Sequence, residues 1–230
     1  IEALGIETTL VLPFDEAMSQ IPAEMFIQGL YVDLGRIHSI CVGAHFAFGH
    51  QRQGNVELLQ RLGQEMNFIV HGLASISLDD ETVSSTRIRQ AIETGQLDAA
   101  GQMLGREYAL TGEVIQGDQR GRELGYPTAN LEVDGLCLPP NGVYAAHAQV
   151  GETTHRAAVN IGLRPTIADA EPSLHVEAHL LDFEGDLYGQ PLALTFVGKL
   201  RDETKFDSLD TLKNQIEKDL VSARYLFTQL

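Results

Sequence analysis

The chain has 230 residues, of which 43% are hydrophobic, and a formal charge of −16 at neutral pH. This length allows one large domain or two small ones, and the apolar fraction argues against disorder. Binding of nucleic acid or of an anionic membrane surface is not expected, because both depend on cationic side chains that meet phosphate. No apolar run is long enough for a membrane span. Cys41 and Cys137 lack a disulfide or zinc spacing, so a reduced, cytoplasmic setting is expected.

The first half alternates short apolar runs with amphipathic stretches. Predicted strands are residues 8–12, 39–43 and 68–70, and predicted helices are residues 56–66 and 87–93. Asn55 is a suitable N-cap for the first helix, and the serines and threonine at 84–86 introduce the second. The apolar runs are continuous, which is typical of buried parallel strands. Because strands and helices follow one another in turn, the sequence predicts an α/β layer fold over residues 1–104.

The second half, residues 105–230, changes character. Predicted strands are residues 108–116, 142–150, 156–161, 174–181 and 192–200. Turns rich in Gly, Pro and Asp separate them, which favours an antiparallel barrel or sandwich. A final amphipathic helix is predicted to begin after Ser208, because apolar residues then recur at helical spacing.

A glycine-rich segment is the densest cluster of informative residues. Gly117, Gly121 and Gly125 lie four residues apart, with Arg120 and Arg122 between them. Backbone N–H groups in such a loop can form an anion-binding nest. All four lysines lie at or after position 199, so an earlier phosphate site would need Arg, backbone or a metal ion. The alternative is a glycine-rich hairpin without a ligand.

Thr128 and Asn130 follow the glycine-rich segment in the tetrapeptide Pro-Thr-Ala-Asn. Residues two apart on an extended segment share a face, so both side chains can point at one ligand. Their hard oxygen atoms suit Mg²⁺ together with a nucleotide phosphate.

The pattern His175, Glu177, His179 places three polar side chains on one face of a predicted strand. Three interpretations are open. The three side chains form a metal site, Glu177 is a general base that takes a proton from a hydroxyl, or the face is simply solvated.

These motifs together resemble the prokaryotic riboflavin kinase/FMN adenylyltransferase family, the bifunctional FAD synthetases. The matching stretches include residues 104–106, 112–130, 138–144, 160–166, 177–183, 188–189 and 200–206. The resemblance implies a truncated Rossmann-like nucleotidyltransferase domain followed by a six-stranded antiparallel β-barrel riboflavin kinase domain with a C-terminal helix.

The resemblance also implies roles for residues of the second half. Glu177 would be the base for the riboflavin 5′-hydroxyl, and Thr128 and Asn130 would contact Mg²⁺ and nucleotide. Arg164 would belong to a flavin flap. The ATP phosphates would be covered by the glycine loop, with the contacts Gly117, Asp118, Arg120, Gly121, Arg122 and Gly125.

Two stretches of the first half resemble the family's flavin and nucleotide motifs. Residues 42–54 imply flavin contacts by Phe46, Phe48 and Arg52, although His45 stands where the family usually has Asp or Asn. Residues 83–89 imply nucleotide-phosphate contacts, which is a plausible role for a helix N-terminus. The residues concerned are Ser85, Thr86 and Arg89.

The sequence therefore predicts a kinase that uses ATP, Mg²⁺ and riboflavin and releases FMN, with no obligate protein partner. The family's N-terminal Gly- and His-rich nucleotide motif is not found among these residues. We therefore expect the 230-residue chain to convert little FMN to FAD. The alternatives are a non-catalytic flavin-binding module and a metal hydrolase built on the two histidines and Glu177.

Overall fold

The computed structural model describes residues 4–164 and 173–229, without the side chains of Arg120, Arg164 and Ser173. The chain divides into two compact units, residues 1–82 and 83–230. The predicted domain limits, 1–104 and 105–230, stay a prediction. Among the described residues, no helix combines the length and the apolar character that a membrane crossing requires.

The first unit is a small α/β assembly. Its elements are α1 (Glu16–Ser19), α2 (Ala23–Leu34), β1 (Ser39–Gly43), α3 (Val56–Met66), β2 (Ile69–Leu73) and the hairpin of β3 (Ser77–Leu78) and β4 (Glu81–Thr82). Strands β1 and β2 pair in parallel, as predicted. Its core contains Ala23, Ile27, Phe48, Leu59, Leu62 and Phe68.

The predicted N-cap of α3 is confirmed, since Asn55 Oδ1 accepts a hydrogen bond from the Leu58 amide at 2.9 Å. The strand predicted over residues 8–12 is wrong. No strand of the described chain pairs with this segment, and Val11 is 81% exposed. An apolar run becomes a strand only where a neighbouring backbone and a buried face are available to it.

The second unit is built around a closed barrel. Its elements are α4 (Ser85–Glu93), α5 (Leu97–Leu104), β5 (Ala109–Ile115), α6 (Arg120–Glu123), β6 (Ala129–Leu131), β7 (Gly142–Val150), β8 (Thr153–Arg164), β9 (Ser173–Leu180), β10 (Pro191–Arg201) and α7 (Leu209–Leu226). The strand order is β10-β5-β6-β9-β8-β7, and every neighbouring pair is antiparallel. The six-stranded barrel is therefore confirmed.

Alternation along β9 separates the barrel interior from its outer face. Val176 and Ala178 are fully buried in the interior, whereas His175, Glu177 and His179 lie between them in the sequence and are partly exposed. Helix α7 covers part of the outer face. Its contact with the barrel is the cluster of Ala145, Ala158, Leu181, Ala223 and Phe227. The polar side chains of β9 therefore lie on the same side of the barrel wall as α7.

The start of α7 is also as predicted. Ser208 Oγ accepts a hydrogen bond from the Thr211 amide at 3.2 Å, and Thr211 reaches back to the Ser208 amide in a capping box. This cap fixes the point at which the chain turns from β10 into the helix.

Candidate active site

A cavity of about 410 Å³ lies against the outer face of the barrel, bounded by α7 and by the glycine-rich segment. Its polar wall comes from β6, β8 and β9 and includes Asn130, Asn160 and Glu177. Its apolar wall consists mainly of Phe206, Leu212, Ile216 and Leu220. A flat aromatic ligand that carries a polar chain suits such a divided lining.

Three polar residues lie in one row across neighbouring strands. Glu177 on β9 is paired with Asn130 on β6 and with Asn160 on β8. Paired residues of antiparallel strands point to the same face, so the carboxylate is flanked by two amide side chains. The Glu177 side chain is 36% exposed and borders the cavity. It is therefore accessible to a ligand in the cavity.

The two histidines of β9 also border this cavity. His175 Nε2 lies 3.8 Å from Glu177 Oε1, whereas His179 Nδ1 lies 2.8 Å from the Pro127 carbonyl oxygen. Since a carbonyl only accepts, His179 Nδ1 carries a proton and is committed to this bond. Within 4–164 and 173–229, no three His, Cys, Asp or Glu side chains are arranged to hold a metal ion. The geometry therefore does not favour the metal-hydrolase interpretation.

The glycine-rich segment approaches the cavity closely. A Cβ atom at Gly117 would overlap the Asn130 amide, so glycine lets this amide pack against the backbone. The segment contains the single helical turn α6. Two residues after this turn, Gly125 has a backbone φ of +92°, in the region that favours glycine. Asp118 and Gly121 border the large cavity. The side chain of Arg120 lies outside the described part of the chain.

A second cavity, of about 250 Å³, adjoins the first. Arg122 borders it, together with the apolar side chains of Phe183 and Leu187. Gln119 and Thr128 line both cavities. The two cavities therefore meet at Thr128, which makes this hydroxyl a point where two bound molecules can approach each other.

One functional feature was missed from the sequence. Arg201 on β10 donates to Asp219 on α7 through Nε at 2.9 Å and through Nη2 at 2.7 Å. Gln215 Nε2 donates to the same carboxylate at 2.8 Å. Asp219 is 7% exposed, and both ion-pair partners border the large cavity. The available signal was an acidic residue on the apolar face of α7, three positions after Ile216.

The predicted site residues of the first unit lie around a turn after β1. Phe46 stacks on Phe48 with ring centroids 5.4 Å apart and planes inclined by 15°. Phe48 is 8% exposed and belongs to the core, whereas Phe46 is 41% exposed. Arg52 has φ of +58° and an exposed side chain, and His45 is exposed as well. Of the residues predicted to contact flavin here, Phe46 and Arg52 present accessible side chains.

The predicted phosphate contacts Ser85, Thr86 and Arg89 lie on α4. Ser84 caps this helix by accepting a hydrogen bond from the Arg87 amide at 3.2 Å. The three predicted residues are exposed on the first turns. Arg164, the predicted flap residue, ends β8, and its side chain lies outside the described part of the chain.

The barrel, the terminal helix and the two adjoining cavities form a site that suits two small-molecule substrates, as a small-molecule kinase requires. The family model Flavokinase, described as riboflavin kinase, matches residues 104–227. A second model, FAD synthetase, matches residues 1–87. The chain belongs to the family of bifunctional riboflavin kinase/FMN adenylyltransferases.

Relatives that carry this family's name cover nearly the whole chain. The protein from Pseudomonas fluorescens is 36% identical over 96% of this chain and 71% of its own length. The protein from Haemophilus influenzae is 38% identical over 99% of this chain and 73% of its own length. A crystal structure from Streptococcus pneumoniae, described as a macrolide-efflux protein, is 31% identical with a TM-score of 0.72 over 92% of this chain and 67% of that chain.

Proposed function

We propose that this chain transfers the γ-phosphoryl group of ATP to the 5′-hydroxyl of riboflavin, which yields FMN and ADP. The observation that carries the proposal is the position of Glu177. Its carboxylate borders the large cavity, beside Asn130 and close to the junction of the two cavities at Thr128. A carboxylate at this point can take a proton from a bound hydroxyl.

The two cavities suit the two substrates. We assign the flavin to the large cavity, because the side chains of α7 form an apolar wall opposite the polar row of the barrel. We assign the nucleotide to the small cavity, which shares Gln119 and Thr128 with the large one. The reacting atoms then meet at the junction. Positioning of this kind is a large part of phosphoryl-transfer catalysis.

Magnesium fits the same junction. Thr128 offers a hydroxyl and Asn130 an amide oxygen, both are partly exposed, and both border the large cavity. Hard oxygen ligands are those that Mg²⁺ accepts alongside phosphate and water. When bound, the ion would supply charge neutralisation for the triphosphate in a chain whose net charge is −16. Thr128 and Asn130 are the residues that we expect to hold it.

The proton and the phosphoryl group move in a balanced step. The Glu177 carboxylate accepts the proton of the 5′-hydroxyl, and the hydroxyl oxygen forms a bond to the γ-phosphorus. The bond between that phosphorus and the β,γ-bridging oxygen breaks, and ADP leaves. Asn130 and Asn160 are paired with Glu177 on either side, which places their amides where they can orient the carboxylate. Asp118 and Gly121 of the glycine-rich segment border the same space.

A chromatographic assay of the 230-residue chain tests the proposal. Riboflavin with MgATP is expected to give FMN and ADP in equal amounts. A chain that binds riboflavin but forms no FMN would be a flavin-binding module without kinase activity. Incubation of FMN with MgATP tests the separate expectation that this chain forms little FAD, which stays a prediction, as do the cytoplasmic setting and the absence of an obligate partner.

A further inference from the structure

His179 is a residue of the polar face of β9 that the proposed reaction does not use. Its partly exposed ring borders the large cavity, and Nδ1 lies 2.8 Å from the Pro127 carbonyl oxygen. The carbonyl only accepts, so Nδ1–H is the donor, and this atom can carry its proton in the neutral ring as well as in the charged one. The bond therefore does not depend on the ionisation of His179.

The two ends of this bond belong to differently supported parts of the backbone. His179 is paired with Ala158 on β8, within the hydrogen-bonded barrel. Pro127 and Thr128 precede β6, whose pairing with β9 begins at Ala129. The His179 side chain therefore attaches to the barrel a stretch of chain that the strand pairing does not include.

The attached stretch contains the hydroxyl at the junction of the two cavities. The Pro127 carbonyl belongs to the peptide unit that precedes Thr128. Because a peptide unit is planar, fixing its oxygen also fixes the direction in which the chain enters Thr128. On the opposite side, Gly121 leaves room for this side chain, since a Cβ at Gly121 would lie only 3.2 Å from Thr128 Oγ1. Thr128 is thus held between the barrel and the glycine-rich segment.

We infer that His179 is a positioning residue, whose bond to the Pro127 carbonyl holds the Thr128 hydroxyl where it meets the magnesium nucleotide. This inference rests on the part of the proposed function that assigns Thr128 to that contact. The competing explanation is simple packing, because the His179 ring also meets the Tyr126 ring edge-on, with centroids 6.0 Å apart. The two explanations predict different effects on nucleotide binding.

Calorimetric titration of the 230-residue chain with ADP tests the inference without turnover. Each protein is titrated once with Mg²⁺ and once with EDTA, and the ratio of the two affinities is the gain due to the ion. His179→Phe keeps a ring against Tyr126 and removes the donor. We expect its affinity for MgADP to fall about fivefold, which is the effect of one lost hydrogen bond. Its affinity for ADP in EDTA should stay within about twofold, since the Thr128 contact to the ion is then absent.

Two further variants locate the donor on the ring. His179→Asn places an amide N–H near the position of Nδ1, whereas His179→Gln places one near Nε2. His179→Asn should restore most of the magnesium-dependent gain that His179→Phe loses, and His179→Gln should not. Equal losses with Mg²⁺ and with EDTA would show that His179 only packs the site, and would overturn the inference. Recovery by His179→Gln but not by His179→Asn would overturn it as well.

A double-mutant cycle with Thr128→Val shows whether His179 acts through the hydroxyl. Valine keeps the shape of threonine and removes the hydroxyl, so Thr128→Val should itself reduce the magnesium-dependent gain. Addition of His179→Phe should then change the gain by less than about twofold, because no hydroxyl is left to position. A full fivefold loss in the Thr128→Val background would overturn the inference.

The failure of the proposed function gives a different pattern. A chain with the expected dependence on His179 that forms no FMN from riboflavin and MgATP overturns the kinase reaction and supports the inference. A chain that forms FMN, with His179→Phe unchanged in its affinity for MgADP, overturns the inference alone. An unchanged magnesium-dependent gain in Thr128→Val overturns both the assignment of Thr128 to the ion and this inference.

Discussion

Asn130 on β6 and Glu177 on β9 are directly paired across two neighbouring strands of the barrel. The pairing brings an amide from the segment after the glycine loop beside the carboxylate of a distant strand. Both side chains border the large cavity. The residues that we assign to the metal ion and to the hydroxyl proton are therefore held by the hydrogen-bonded framework of the barrel and not by a mobile connection.

The close packing of Gly117 against Asn130 predicts the effect of Gly117→Ala. The added Cβ would overlap the Asn130 amide, so the amide must move. We expect turnover to fall by about 10- to 100-fold, because small displacements of catalytic groups have effects of this size. Steady-state assays with riboflavin and MgATP measure it.

Gly29→Ala is the matched control for this substitution. Gly29 lies within α2 and has no atom within 4 Å of the position of an added Cβ. The substitution Gly29→Ala should therefore leave turnover unchanged. Equal activity of Gly117→Ala and the wild type would show that the position of Asn130 does not matter for the reaction.

The ion pair between Arg201 and Asp219 predicts a loss of stability when one partner is removed. Asp219→Ala leaves the Arg201 guanidinium without its bidentate partner in a largely buried position. We expect the free energy of unfolding to fall by about 3 kcal/mol. Urea denaturation measures this change, and riboflavin binding should weaken because both residues border the cavity.

A double substitution provides the control for the ion pair. Arg201→Met with Asp219→Leu removes both charges and should recover part of the lost stability, because no charge is then left buried alone. Single and double variants with additive effects would show that the two side chains do not stabilise each other.

Burial of Tyr144 predicts a loss of stability at alkaline pH. The side chain is 1% exposed, and this burial raises its pKa to about 12 from the usual value of 10.0. A raised pKa means that the folded state favours the protonated phenol. The associated stability is fully present below pH 10 and is lost as the pH rises through 12.

Denaturation of Tyr144→Phe across this pH range measures the contribution of the phenol. The variant should lose less stability than the wild type between pH 10 and 12. Tyr225→Phe is the control, because Tyr225 is 66% exposed. Parallel stability curves for Tyr144→Phe and the wild type would show that ionisation of Tyr144 is not linked to unfolding.

A hydrogen bond between the glycine segment and α7 predicts an effect on ligand exchange. Tyr126 Oη donates to Glu217 Oε1 at 3.0 Å, and Tyr126 borders the large cavity. Tyr126→Phe removes this bond and keeps the ring. We expect flavin to dissociate a few-fold faster, since one exposed hydrogen bond is worth about 1 kcal/mol. Stopped-flow fluorescence measures the rate, and an unchanged rate would exclude a latching role for this bond.

Much of the fold was predictable from local patterns. The strand β7 and the cap at Ser208 were recognised because each depends on neighbours in the sequence. Strand β6 was not predicted as a strand, because it spans only Ala129–Leu131 and is stabilised by β5 and β9 on either side. The strand predicted over 8–12 shows the opposite case, in which an apolar run has no described partner.

The candidate site was predictable where one segment carries the chemistry. The common face of His175, Glu177 and His179 follows from strand periodicity. The junction of the two cavities at Thr128 and the ion pair of Arg201 with Asp219 were not predictable. They depend on the docking of α7 and of the glycine segment against the barrel, which brings together residues far apart in the chain.

The most direct test of the proposed reaction is a comparison of the wild type with Glu177→Gln. Riboflavin binding and FMN formation with MgATP are measured on the same preparations. Glutamine preserves the size and the hydrogen-bonding reach of the side chain but cannot accept the proton as a carboxylate does. We predict that Glu177→Gln binds riboflavin like the wild type and forms FMN at least about 100-fold more slowly. FMN formation at the wild-type rate by Glu177→Gln would contradict the assignment of Glu177 as the base.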